Sequence, residues 1–238
     1  MPPTIDIVMA TYNGARFLCE QLDSVLAQAR PGVRLLVRDD GSTDATREIL
    51  AAYAGNRPEG VLVENGSRRL GACGSFSALL ERSDADFVVL CDQDDVWLPG
   101  RLDAMLRRLV ELEDRHGRGA PLLVHSDLTV VDAGLRELCP SFWRYQGLDP
   151  FRGGVLNRLL VQNVVTGCAA ILNRALVRRA TPIPKAAVMH DWWLATAAAA
   201  LGRLEALAQP TALYRQHGEN RVGAQRWEIG RASCRERV

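Results

Sequence analysis

The sequence predicts an α/β fold: a Rossmann-like, doubly wound, mostly parallel sheet with helices on both faces. Three observations carry this expectation. Strand-like apolar runs alternate with helix-like runs through the first half of the 238-residue chain. The composition, 47% hydrophobic and 24% charged, is that of a globular chain with room for a sizeable core. Three polar clusters, residues 11–14, 39–44 and 92–95, each follow directly on an apolar run. In such sheets functional groups collect beyond the carboxyl ends of the strands.

The elements follow in order. "TIDIVMATYNG" reads as a buried strand entering a turn at Asn13-Gly14. Leu18, Leu22, Val25 and Leu26 then recur at helical spacing, and Pro31-Gly32 ends that helix. "VRLLVRDDGSTD" is a second strand with a polar turn, where Asp44 is placed to cap the helix "ATREILAAYA". "GVLVEN" is a third strand, "GSFSALLERS" a helix and "DFVVLCD" a fourth strand. Pro99 suits the first turn of a helix whose apolar face is Leu102, Met105, Leu106, Leu109 and Leu112. "PLLVHSDLTVVD" is a further strand.

The second half is less regular. Residues 147–154 form a loop suited to substrate contacts. "NVVTGCAAIL" reads as a strand with a small-residue entry. "ATPIPKAAVMHDWWLATAAAALG" is a loop and then a helix, with Asp191 near its start. "LEALAQPTALYRQHGEN" reads as strands and a polar turn.

Bulk properties exclude several classes. A net charge of +1 supplies no strong field toward nucleic acid. The longest apolar run, "WWLATAAAALG", is too short to cross a bilayer, so any membrane association is peripheral. Six cysteines (Cys19, Cys73, Cys91, Cys139, Cys168 and Cys234) include no CxxC pair, which points to buried free thiols in a reducing cytoplasm. The opening residues lack the basic and apolar regions of a signal peptide. "EIGRASCRERV", residues 228–238, has no periodicity and back-translates to something similar to a sequencing-adapter read. It is expected to be a non-native tail.

The chemistry centres on "FVVLCDQDDVW". Asp92 and Asp94, two apart at a strand end, can turn toward one ion, and hard oxygens of this kind suit Mg²⁺ or Mn²⁺. Open positions on such an ion can take diphosphate oxygens. Asp95 reads equally as a cap of the following helix. In "RDDGSTD", Asp39 can accept a hydrogen bond from a pyrimidine imide or simply order the turn. In "ATYNG", Tyr12 can stack on a base and Thr11 can contact it, or both can pack at the strand end. His217 serves as a ligand or as part of a bland turn, and His125 reads as structural.

Five motifs in order, "VMATYNG", "VRDDGSTD", "LCDQDDVW", "VVTGCAAIL" and "MHDWWL", together resemble the family 2 inverting glycosyltransferases of GT-A fold. "CDQDDVWLP" and "YRQHGEN" are most similar to the bacterial rhamnosyltransferase-like branch. The resemblance covers about residues 5–223 and implies one domain over 1–227, with a nucleotide-binding half over about 1–127 and an acceptor-side half over about 128–227. It implies that Thr11, Tyr12, Asn13, Asp39, Gly71 and Asp92 hold the donor, and that Asp92, Asp94 and His217 hold the metal. It implies further that Thr166, Gly167 and Trp192 flank donor sugar and acceptor, with Asp191 as catalytic base. The implied donor is a dTDP- or UDP-sugar, with dTDP-L-rhamnose favoured. The implied acceptor is a saccharide or lipid-linked molecule at the cytoplasmic face of the plasma membrane, in polysaccharide synthesis. His190 stands where the family often has an acid, and Leu70 and Ser75 stand in the "LGACGSF" loop where a basic residue and Asn are common.

Two other readings compete. "DQDDV" satisfies the haloacid-dehalogenase phosphatase pattern with Asp92 as nucleophile, although that chemistry wants the motif on the first strand and an acidic pair after a lysine. A truncated sugar-nucleotide-binding domain without transfer activity is the non-enzyme alternative.

Overall fold

In a computed structural model, the structure describes residues 3–57, 60–66, 68–218 and 223–224. The expectations for the 228–238 tail, for Cys234 and for the end of "YRQHGEN" lie outside the described residues.

The first half follows the expected alternation: β1 (Ile5–Thr11), α1 (Ala15–Leu26), β2 (Val33–Asp39), α2 (Thr46–Asn56), β3 (Val61–Asn65), α3 (Gly71–Arg82), β4 (Phe87–Cys91), β5 (Val96–Trp97) and α4 (Arg101–His116). The second half comprises β6 (Leu122–Asp132), β7 (Glu137–Cys139), α5 (Phe142–Gln146), α6 (Val155–Leu159), a 3₁₀ turn at Gly167–Ala169, β8 (Ala170–Asn173), α7 (Arg174–Ala180), α8 (His190–Leu201) and β9 (Arg203–Gln216). The sheet order is β3-β2-β1-β4-β8-β6-β9-β5, with β7 beside β6. β3, β2, β1 and β4 run parallel, as do β6 and β9, while β8 lies antiparallel between β4 and β6.

Strand alternation sorts the core into two layers. Ile5, Ile7 and Met9 of β1, with Phe87 and Val89 of β4, face Leu18 and Leu22 of α1 and Leu102 to Leu112 of α4. Val8, Leu36, Val88 and Leu90 face Phe76, Leu79 and Leu80 of α3, Leu176 of α7 and Leu194 of α8. Buried on both faces, these strands read as continuous apolar runs. The chain leaves β1 toward β2 and β3 on one side and returns to β4 on the other. The carboxyl ends of β1 and β4 therefore flank a topological switch point, where an open α/β sheet has a crevice.

Several local expectations need correction. The "LGACGSF" stretch is no loop: α3 begins at Gly71, whose φ of +72° suits glycine. Pro99 lies ahead of α4, because Gly100 at φ +78° breaks the chain direction between them. The strand in "NVVTGCAAIL" is confined to Ala170–Asn173; Val164 and Val165 are buried by packing without a ladder. The final motif is one long strand, β9, with register shifts along β6. Of the described cysteines, all free, only Cys91 and Cys168 are buried.

Candidate active site

The turns after β1 and β2 are joined by polar contacts. The Asn13 amide donates to Ser42 Oγ at 2.9 Å, Thr43 N donates to Asn13 Oδ1 at 2.8 Å, and Gly14 N donates to Thr46 Oγ1 at 2.9 Å. Asp44 does more than the expected cap: one oxygen accepts from Thr46 N at the start of α2, the other from Ala15 N at the start of α1. Both helix N-termini thereby gain an anion.

Asp39 sits beneath this turn, fully buried. It accepts from Thr11 Oγ1 (3.2 Å), Ser42 Oγ (2.5 Å), Arg47 Nε (2.7 Å) and the amides of Gly41 and Ser42. Burial alone would raise its pKa, but bonds from Ser42 and Arg47 hold the carboxyl below its usual range. Alternation sends the next residue to the opposite face. Asp40 takes the Leu70 and Gly71 amides, both at 2.7 Å, at the N-terminus of α3, together with Arg38 Nη1 at 2.6 Å.

A cavity of about 460 Å³ opens at the switch point, within the range of small-molecule sites. Thr11, Tyr12, Gly71, Asp92, Asp94, Thr166, Gly167, Asp191 and Trp192 all line it. Asn13, Asp39 and His217 do not line it among the described residues; just past β2 it is Asp40 that reaches the cavity. Tyr12 carries the guanidinium of Arg69 over its ring at 3.8 Å. Gln93, a side chain given no role by the motif reading, clamps the end of β1: it accepts from Tyr12 N at 2.9 Å and donates to Tyr12 O at 3.1 Å. A Cβ on Gly14 would lie 2.4 Å from Gln93 Oε1, so this clamp requires the glycine.

Asp92, Asp94 and Asp95 fan out differently. Asp92 faces the cavity, and burial, then Asp95, Asp94 and Asp191, push its carboxyl well above the usual range. Asp94 Oδ2 lies 2.9 Å from His217 Nε2, which unites two of the expected metal residues. Asp95 is buried and accepts from Arg215 N at 3.1 Å rather than capping α4; burial and then Asp94 raise it to about 7. Among the described residues, the group whose ligand atoms lie within 4.8 Å of one another is Asp92, Asp95 and Cys168, not Asp92, Asp94 and His217. Arg215, 2% exposed, donates to Asp94 O and Ala133 O, both at 2.7 Å, and to Glu20. Sequence reasoning missed Arg215 because its partners are up to 195 positions away.

On the far wall, Asp191 starts α8. Its Oδ2 accepts from Gly167 N at 3.0 Å and its Oδ1 from Trp192 N at 2.7 Å. Desolvation outweighs these bonds and raises its pKa to about 6. A Cβ on Gly167 would meet His190 Nε2 at 2.9 Å and Asp191 Cβ at 3.3 Å, so the 3₁₀ turn can lie against the helix start only with glycine there. Trp192 Nε1 donates to Leu159 O at 2.5 Å, anchoring α6 beside the cavity.

Comparison with known proteins identifies the fold and the family. An uncharacterized Mycobacterium tuberculosis protein, Rv1520, is 27% identical over 90% of this chain and 59% of its own length. The dTDP-rhamnosyl transferase RfbG of Shigella flexneri is 24% identical over 91% of this chain and 74% of its own. The chain thus spans about 59% of the length of the first relatives it matches. The mannosyltransferase PcManGT of Pyrobaculum calidifontis, solved with GDP-Man and Mn²⁺, superposes with a TM-score of 0.65 at 19% identity, over 90% of this chain and 57% of that one, so the fold is shared. The model described as Glycosyl transferase family 2 matches residues 6–178, and with its α/β sheet of GT-A type the chain belongs to that family.

Proposed function

We propose that this chain is the donor-binding and catalytic domain of an inverting, metal-dependent glycosyltransferase. The domain covers residues 1–227, with nucleotide contacts mainly from 1–127 and acceptor contacts mainly from 128–227. One observation carries the reading: carboxylates from the two halves, Asp92 after β4 and Asp191 on α8, face the same cavity. Family membership leaves no support for Asp92 as a phosphatase nucleophile; the motif follows the fourth strand, not the first.

The proposed donor is a nucleotide-sugar. Thr11 and Tyr12 line the base side, with Asp39 and Asn13 holding the turn, while the Gly71 end of α3 approaches the phosphates. The RfbG relative favours L-rhamnose carried on dTDP, with UDP-sugars as the alternative donor. The acceptor is a saccharide or lipid-linked molecule at the cytoplasmic face. Among the described residues no helix is long and apolar enough to cross a membrane.

The acidic cluster fits a divalent cation. Its carboxylates crowd one another, and among the described residues Asp95 Oδ2 is buried with no hydrogen bond. Asp92 and Asp94 would hold Mg²⁺ or Mn²⁺, with His217 behind Asp94. Such an ion, when bound, neutralises charge on a departing diphosphate.

Asp191 takes the proton of the acceptor hydroxyl. The freed oxygen attacks the anomeric carbon as its bond to the diphosphate breaks, inverting the centre in one displacement. A pKa near 6 leaves Asp191 mostly ionised at neutral pH while keeping it basic enough to accept a proton. Gly167 and Trp192 hold the carboxylate toward the cavity through their amides. The test is nucleoside diphosphate release from a panel of donors with Mg²⁺ or Mn²⁺. Release is expected with wild type and lost in Asp94→Ala and Asp191→Ala; turnover at wild-type rate in Asp191→Ala removes it as base. Donor binding with no transfer under any condition supports a binding domain instead.

A further inference from the structure

Charge is spread unevenly along the chain. Residues 140–189 hold seven cations and one carboxylate, a net +6 within a total of +1. Many other arginines are ion-paired: Arg30 with Asp103, Arg34 with Asp6, Arg47 with Asp39, Arg136 with Asp132. In this stretch Arg144, Arg152, Arg178, Arg179 and Lys185 are exposed, and among the described residues none of the five forms an ion pair.

The same stretch leaves apolar side chains in solvent. Phe151 is 59% exposed, Leu160 71%, Val161 82% and Val188 67%. They gather around α6. Arg158 of α6 donates to the carbonyls of Asp149 and Arg152 and so fixes the loop that carries Phe151. Leu160 and Val161 follow α6 directly, and Val161 and Val188 belong to the cavity wall. A second, apolar groove shares Val188, Met189 and Trp192 with the cavity and runs on to Trp193, which bonds the Ala180 carbonyl at the end of the arginine-bearing α7.

Protruding apolar side chains among cations that form no ion pair within the described residues match an anionic lipid bilayer in both respects. The apolar groups enter the acyl boundary, and the cations meet the headgroups. We infer that the face built from α6, α7 and their flanking loops docks on an anionic bilayer, with the Asp191 end of the cavity toward the membrane plane. A lipid-borne acceptor would then reach Asp191 without leaving the bilayer; that consequence alone rests on the proposed transferase reading.

Sedimentation of the chain with phosphatidylglycerol-containing vesicles, against pure phosphatidylcholine vesicles, tests the docking. Binding to the anionic vesicles is expected, weakening as salt rises above ~0.15 M. Arg178→Gln with Arg179→Gln should lower the partition coefficient by about 30-fold. Leu160→Asp should also lower it, whereas Arg57→Gln with Arg107→Gln, exposed cations elsewhere, should leave it unchanged. An unaltered melting temperature in each variant keeps the comparison to folded protein. The inference is overturned by equal binding to both vesicle types, by no binding, or by equal losses in the two arginine pairs. Loss of vesicle binding to free diphosphate, but not to chloride of equal ionic strength, also overturns it in favour of an anion pocket. No donor is present in this assay, so its failure leaves the transferase reading untouched, and the reverse holds.

Discussion

At Asp191, burial and two backbone amides compete for control of one proton. Burial wins and sets a pKa of about 6. As the proposed base, Asp191 must be ionised to work, so kcat/KM for transfer should be flat above pH 7 and fall as pH drops through about 6, approaching tenfold per unit. A pH–rate profile checks this, and a profile flat to pH 4.5 would remove Asp191 from the step. Asp191→Asn should lower kcat by about 10²- to 10⁴-fold. Donor affinity, measured by calorimetry, should change little, because the proposed nucleotide contacts, Thr11, Tyr12 and Gly71, lie on the other wall. Gly167→Ala acts on the same carboxylate from outside. Its Cβ intrudes on His190 and Asp191 Cβ, so kcat should fall with only a small loss of melting temperature. These residues were legible because "TGC" and "HDWW" resemble family motifs. The Gln93 clamp and the Asp40 cap were not, since each depends on a partner chosen by the fold.

Elements reach the site through their ends. β9 returns alongside β6 and places Arg215 under the acidic loop, where its guanidinium takes the Asp94 carbonyl and Glu20 and its amide takes Asp95. Arg215→Ala keeps the backbone bond to Asp95 but strips the Asp94 and Ala133 carbonyls of their donor, and should cost about 2–4 kcal/mol, read from urea midpoints. Arg215→Lys should recover only part of this, because an ammonium cannot reproduce the planar fork. Full stability in Arg215→Ala would show that the loop is held by β5–β9 pairing alone. At the α8–β9 junction a Cβ on Gly202 would lie 1.9 Å from the Pro121 carbonyl oxygen. Gly202→Ala should therefore lower stability by about 1–3 kcal/mol while leaving site residues in place. The long first-half elements were readable from periodicity. The five-residue α5 and α6 and two-residue β5 were not, because they span too few turns or alternations to show a period.

For the whole molecule, the proposed nucleotide-side and acceptor-side halves share one core. The layer that contains Ile5, Leu18 and Val89 also contains Phe142, Ile171 and Tyr214. A fragment of residues 1–127 loses β8 from the side of β4 and β9 from the side of β6. Expressed alone, it should give no cooperative urea transition, although it carries most of the proposed donor contacts. A sharp two-state transition in that fragment would show instead that the halves are independent domains.

The sequence alone determined the mostly parallel α/β class, the order of its long first-half elements and the strand ends that meet at the cavity. Those follow from alternation and period, which are local physics. Tertiary structure decided which side chains meet. It set Asp39 off the wall and Asp40 on it, because adjacent strand residues point to opposite faces. It gave Asp94 to His217 and Asp95 to Arg215 across more than a hundred residues. Contacts of that span depend on how the sheet closes, which no short window of sequence encodes.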